Sequence, residues 1–167
     1  MVTCQDIMDV MEEIAPRHLA EDWDNPGLLV GSPAARVERV FVCLDVSDAA
    51  VAQAAACGAQ LIISHHPLIF RPLKALNTAE PLGRRIASLL AHGIAAFAAH
   101  TNLDIAEGGV NDVLARAVGL SHLSAFVITA QAADGHTQSL GRVGTLEAPM
   151  RIEDFAARVR AALPVAH

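Results

Sequence analysis

Tyrosine is absent from this 167-residue chain, tryptophan occurs once, and aromatic residues make up only 4% of it. Proteins that hold single-stranded nucleic acid stack successive bases on surface aromatics, and no such platform can be assembled from so few. Positive charge is thin as well. Twelve Lys and Arg against 18 Asp and Glu leave a formal charge of −6, with the basic residues scattered along the chain. General nucleic-acid binding is therefore excluded, because it needs a basic surface that displaces counterions from phosphates. The cysteines Cys4, Cys43 and Cys57 are odd in number and lack CxxC spacing, which argues against a disulfide framework and suits reduced thiols packed as small apolar residues. No apolar run approaches the roughly 18 residues of a membrane span. Asp6 and Asp9 stand where a secretory signal would carry basic charge and then an apolar stretch. The expectation is a cytoplasmic protein without membrane contact. A hydrophobic content of 53% suffices for the core of one domain, or of one and part of another.

Against this sparse background ten residues stand out, Leu61 to Phe70, LIISHHPLIF. A short apolar run, long enough for one buried strand, delivers His65 and His66 to Pro67, where the backbone bends away. Adjacent side chains of a regular strand point to opposite faces, but the residue before a proline is held extended or polyproline-like, so both imidazoles can share a crest at the strand end. By themselves the two histidines fit an ordinary polar loop equally well. The stretch IAAFAAHTNLD favours the metal reading, because a second apolar strand there runs into His100 and then Asp104. The carboxyl edge of an open α/β sheet is where sites form. His65, His66, His100 and Asp104 offer nitrogen and oxygen donors suited to a divalent zinc, manganese, iron, cobalt or nickel ion.

Taken in order, Thr3 with Asp6 forms a capping box for a helix that Pro16 ends. The loop EDWDNPGLLVG holds Trp23, expected as a buried plug rather than a stacking surface, and Asp22 and Asp24, expected as solvated loop acids. Val37 to Asp45 reads as a strand, Ser47 or Asp48 caps an alanine-rich helix closing at Gly58, and the histidine strand completes a βαβ unit with parallel strands. Asp45 is expected as a cap or turn residue on the same sheet edge as His65. A basic loop, Arg71 to Lys74, precedes a helix from Pro81 to Ala91. The second ligand strand follows, and then a helix from Val110 to Val118 ending at Gly119. The texture loosens into a linker from Ser121 through Asp134 and Gly135. Thr137 to Leu146 reads as a strand and Ile152 to Leu163 as an amphipathic helix, after which the chain stops where an α/β unit would add a strand. The fold class is thus α/β, with a mostly parallel central sheet flanked by helices. Residues 1–124 form a first lobe, and 125–167 start a second, incomplete one.

The early DWDNPGLLVG, SHHPLIF, AHTNLDIAEGGVND and the later LGRVG, in that order, resemble the GTP cyclohydrolase I type 2 homolog family, also called NIF-three-like. The resemblance covers essentially the whole chain. It implies two α/β lobes around a dinuclear metal site and assembly into a homohexamer. It also implies His65 and Asp104 as ligands of one ion, His66 as a ligand of the other, and His100 as a group close by, which a hydrolase would use as a proton carrier. Family members complete the site with a later His followed four residues on by a bridging Glu. Nothing here corresponds to that segment, since His167 is the last residue, so weak or partial metal loading is expected of the chain as it stands.

Two functions follow. The first is a metal-dependent hydrolase of a nucleotide or other phosphate-bearing small molecule, in which two ions about 3.5–4 Å apart activate water and the Arg71–Lys74 loop meets an anionic group. The alternative is a non-enzymatic metal-binding assembly or regulatory adaptor. A P-loop, a GxGxxG, a GxSxG elbow and the HxE and PCxxC pair of zinc deaminases are all missing.

Overall fold

Thr3 opens the first helix of the computed structural model, which describes residues 1–131 and 137–163. The Thr3 hydroxyl accepts the Asp6 N–H at 3.3 Å while the Asp6 carboxylate accepts the Thr3 N–H at 2.7 Å, so the capping box closes in both directions. Helix α1, Cys4–Ile14, runs until Pro16 and lays Cys4, Ile7, Met8 and Met11 on one face of a sheet. Two compact units make up the chain, Met1–Leu103 and Asp104–His167.

The first unit is built on four strands, β1 (Gly27–Val30), β2 (Val40–Cys43), β3 (Leu61–Ser64) and β4 (Ala95–Ala98), in the order β1-β4-β3-β2. β2, β3 and β4 are parallel, and β1 joins the edge antiparallel to β4. Helix α2, Asp48–Ala56, capped by Ser47, and helix α3, Pro81–Ala91, make the two crossovers. Both faces are therefore covered. Leu61, Ala95 and Phe97 pack under α1, while Ile62, Ala96, Val51, Ile86 and Leu89 form the core on the α2 and α3 side. Burial on both faces is why LIIS and AAFA read as continuous apolar runs without alternation. Cys43 pairs with Ser64 and Ser64 with Ala98, so the three parallel strands finish level. At Gly31, φ is +102° and an added Cβ would lie 2.7 Å from the Ala95 Cβ, so only glycine lets the chain leave β1 this close to β4.

In the second unit α5 (Val110–Ala117) packs on the antiparallel pair β5 (Ser121–Gln131) and β6 (Thr137–Thr145), and α6 (Ile152–Ala162) follows. Because α5 belongs with these strands, compactness divides the chain upstream of the change in sequence texture near residue 124. The linker expected from Ser121 is instead a strand. Its FVIT run is aromatic and β-branched, and β6 supplies the backbone partners that a local reading cannot see. Asp134, Gly135 and the terminal His167 lie outside the described residues. Asp112, buried at the start of α5, accepts the Gly108 N–H at 2.7 Å and pairs with the Arg142 guanidinium, which also donates to the Ser139, Gly141 and Ile105 carbonyls. Burial opposes ionisation of Asp112, but the Gly108 N–H and Arg142 outweigh it and hold the carboxyl below its ordinary range.

Two outcomes follow for stability. Gly31→Ala should destabilise the protein by roughly 2–4 kcal/mol in urea denaturation, through overpacking plus left-handed strain. Asp112→Ala should cost about 3 kcal/mol at pH 7 by leaving Arg142 buried without its counter-charge. Since the folded pKa of Asp112 is depressed, that contribution is present above the ordinary carboxylate value near about 4. It is lost as pH falls through the folded value, so the difference between wild type and variant should shrink on acidification below about pH 4.

Candidate metal centre

The ladder holds beyond the last regular residue of β3. The His65 and His66 N–H groups donate to the Cys43 and Leu44 carbonyls at 3.2 and 2.9 Å, and the Ala99 N–H donates to Ser64 O at 3.0 Å. Ser64, buried, donates its hydroxyl to His66 O at 2.9 Å and turns the chain so that consecutive imidazoles face the same way. Their centroids are 5.1 Å apart. The His100 ring stands 5.1 Å from His65 and 5.7 Å from His66. One ring nitrogen of each of the three lies within 4.8 Å of the others, a spacing at which they can hold a metal ion.

Each imidazole is oriented through its Nδ1. His65 donates to Ala99 O at 3.1 Å, His66 to Asp45 Oδ1 at 2.8 Å and His100 to Asp24 Oδ1 at 2.8 Å. A carbonyl or a carboxylate can only accept, so all three rings carry a proton on Nδ1, which leaves Nε2 as the nitrogen through which the neutral form of each ring would bind a metal. This shared protonation of Nδ1 is the test of fit, and the cluster meets it.

The two carboxylates differ. Asp45 and His66 are 62% and 47% exposed, so solvent screens that pair. The Asp24 side chain is fully buried under His100, and its oxygens also accept the Thr101 N–H at 3.0 Å, the Thr101 hydroxyl, and the Asn25 N–H at 2.7 Å. Burial opposes ionisation of Asp24, yet the bonds from Thr101, His100 and Asn25 together hold its carboxyl below the usual range. Cys43 is pushed up by burial and by the Asp45 charge, which keeps it a thiol and out of the donor set. Beside His66 a cavity of about 370 Å³ opens, walled by Asp45, Ser47, Leu68 and Arg85, with room for a small anionic group.

Of the four residues named from sequence, the structure brings His65, His66 and His100 together. Asp104 sits in the short helix α4, Thr101–Ile105, four residues after His100. Asp24 was expected as a solvated loop acid and is instead the buried partner of His100. Asp45, expected as a cap or turn residue, orients His66. Trp23, expected as a plug, is exposed, because its loop lies over the sheet edge rather than in the core.

A mostly parallel α/β sheet carrying a histidine cluster at its carboxyl edge is the class that fold and site define. The chain belongs to the Duf34/NIF3 (NGG1p interacting factor 3) family, whose model matches residues 2–167. It is similar to the GTP cyclohydrolase 1 type 2 homolog of Halalkalibacterium halodurans, at 40% identity over 125 residues, covering 75% of this chain and 34% of that protein. The namesake from Clostridium perfringens is 34% identical over 160 residues, covering 96% and 60%. Among solved structures, Staphylococcus aureus protein SA1388 superposes with a TM-score of 0.86 at 28% identity, covering 96% of this chain and 65% of its own. The chain thus spans about a third to three fifths of the length of these curated relatives.

Asp24→Asn should lower zinc affinity in calorimetric titration by about 10- to 100-fold by releasing the His100 ring. Asp45→Asn should fall at the small end of that range, its pair being solvent-screened.

Proposed function

We propose that this chain supplies the histidine ligands of a metal-dependent hydrolase acting on a nucleotide or another phosphate-bearing small molecule. The convergence of three imidazoles, each oriented by a hydrogen bond from its Nδ1, is the observation that carries this reading. His65, His66 and His100 would hold divalent metal, and the family resemblance adds Asp104 as an anionic ligand and a second ion. Bound by these residues, a divalent ion would supply Lewis-acid polarisation and a water of lowered pKa. The chain's own residues do the rest. Asp24 keeps the His100 proton on Nδ1, Asp45 does the same for His66, and the cavity beside His66 presents the Arg85 guanidinium, held by Asp48 at 2.8 Å, to an anionic substrate group.

Calorimetry with zinc and manganese tests the proposal. His65→Ala, His66→Ala, His100→Ala and Asp104→Asn should each weaken uptake by at least about tenfold while circular dichroism is unchanged. Turnover of GTP or p-nitrophenyl phosphate by the loaded protein should fall in step. Uptake that ignores all three histidine substitutions overturns the site. Uptake without turnover across nucleotides and phosphoesters turns the conclusion to a non-enzymatic metal-binding assembly.

A further inference from the structure

Trp23 and Phe70 stand at the surface, 59% and 43% exposed, in a chain that has a single tryptophan. Large aromatics left in water are informative where they are also ordered, and these two are. Their ring centroids lie 6.0 Å apart at an interplanar angle of 64°, and each stands 6.3 Å from the His100 ring, at 78° and 87°. The loops that carry them are tied together, the Asn25 side-chain amide donating to Ile69 O at 2.6 Å. Pro26 and Pro67 stiffen both loops by fixing φ. Two exposed rings therefore form a rigid corner whose third side is an imidazole of the candidate metal cluster.

We propose that Trp23 and Phe70 are the binding wall for a flat aromatic or heteroaromatic ring, borne by a ligand whose other end reaches the histidine cluster. The proposal rests on the hydrolase reading for that reacting end and narrows its substrate class to ring-bearing molecules. Aromatic pairs favour offset and edge-to-face contacts with centroids about 4.5–7 Å apart. A flat ring entering this corner stacks on one side chain and meets the edge of the other. A sugar phosphate without an aromatic base would gain no base stacking from either. Stacking of a base on protein aromatics corresponds to a factor of about 5 to 150 in affinity per base.

Guanosine 5′-monophosphate and ribose 5-phosphate share the phosphate and the sugar and differ by the guanine base, which makes them the probes. Trp23 is the sole tryptophan, so its fluorescence reports directly. Guanosine monophosphate should quench it saturably and bind about 5- to 150-fold tighter than ribose 5-phosphate. Phe70→Leu by fluorescence and Trp23→Leu by calorimetry should remove most of that preference, with the zinc titration showing that the effect is confined to the ring-bearing probe. Equal affinity of the wild-type protein for the two probes overturns the proposal. So does loss of zinc affinity in Trp23→Leu, which would make Trp23 a support for His100. Quenching that follows protein concentration and ignores the nucleotide also overturns it, by assigning the corner to a second copy of the chain. A ring preference that survives while zinc uptake ignores the histidine substitutions leaves the wall standing and removes the metal reading, so the two failures are distinct.

Discussion

The shared register of β2, β3 and β4 is the constraint on which the histidine cluster hangs. Cys43, Ser64 and Ala98 lie side by side across three parallel strands, and the residues just beyond them are stitched by further backbone bonds from His65, His66 and Ala99. A slip of one residue would turn Leu61 and Ile62 into each other's core and carry the imidazoles away from His100. Because both faces of β3 are buried, such a slip is penalised on two sides at once. Packing of α1 beneath the sheet and of α2 and α3 above it thereby fixes the position of the side chains at the strand ends.

Much of this was legible in the residues. Thr3 and Asp6, Ser47, Pro81 and the glycines that follow the helices are local signals, and they mark ends that depend on neighbours three or four residues away. The histidine crest was legible because Pro67 sits next to it. What stayed hidden depended on distance along the chain. Asp24 meets His100 and Thr101 across 76 and 77 residues, and no local pattern separates a carboxylate with such partners from a solvated one. Trp23 was misjudged because hydrophobicity states how much area a side chain would bury but not whether anything covers it. The strand from Ser121 was missed because its partner begins beyond a stretch that reads as loop.

Asp24 shows how a charge can be kept dry. A carboxylate without exposed surface is tolerable only when donors replace its water, and here donors arrive from Asn25, Thr101 and His100. Holding a negative charge ready beneath the His100 imidazole prepares the cluster for a cation before any cation arrives, which is the preorganisation that a precise site requires. Asp45, more exposed, does the same orienting work for His66 with less electrostatic leverage. The two histidines are thus tuned unequally by the depth of their carboxylates.

Asn102 reaches in two directions. Its side-chain oxygen accepts the His100 N–H at 2.9 Å, and its amide donates to the carbonyl of Ala15, whose own N–H closes the last turn of α1 onto Met11. The end of that first helix and the His100 backbone are therefore tied through one side chain. Through that tie, tightening of the histidine is expected to slow amide hydrogen exchange at the carboxyl end of α1, which would make the amino-terminal helix a remote gauge of the cluster.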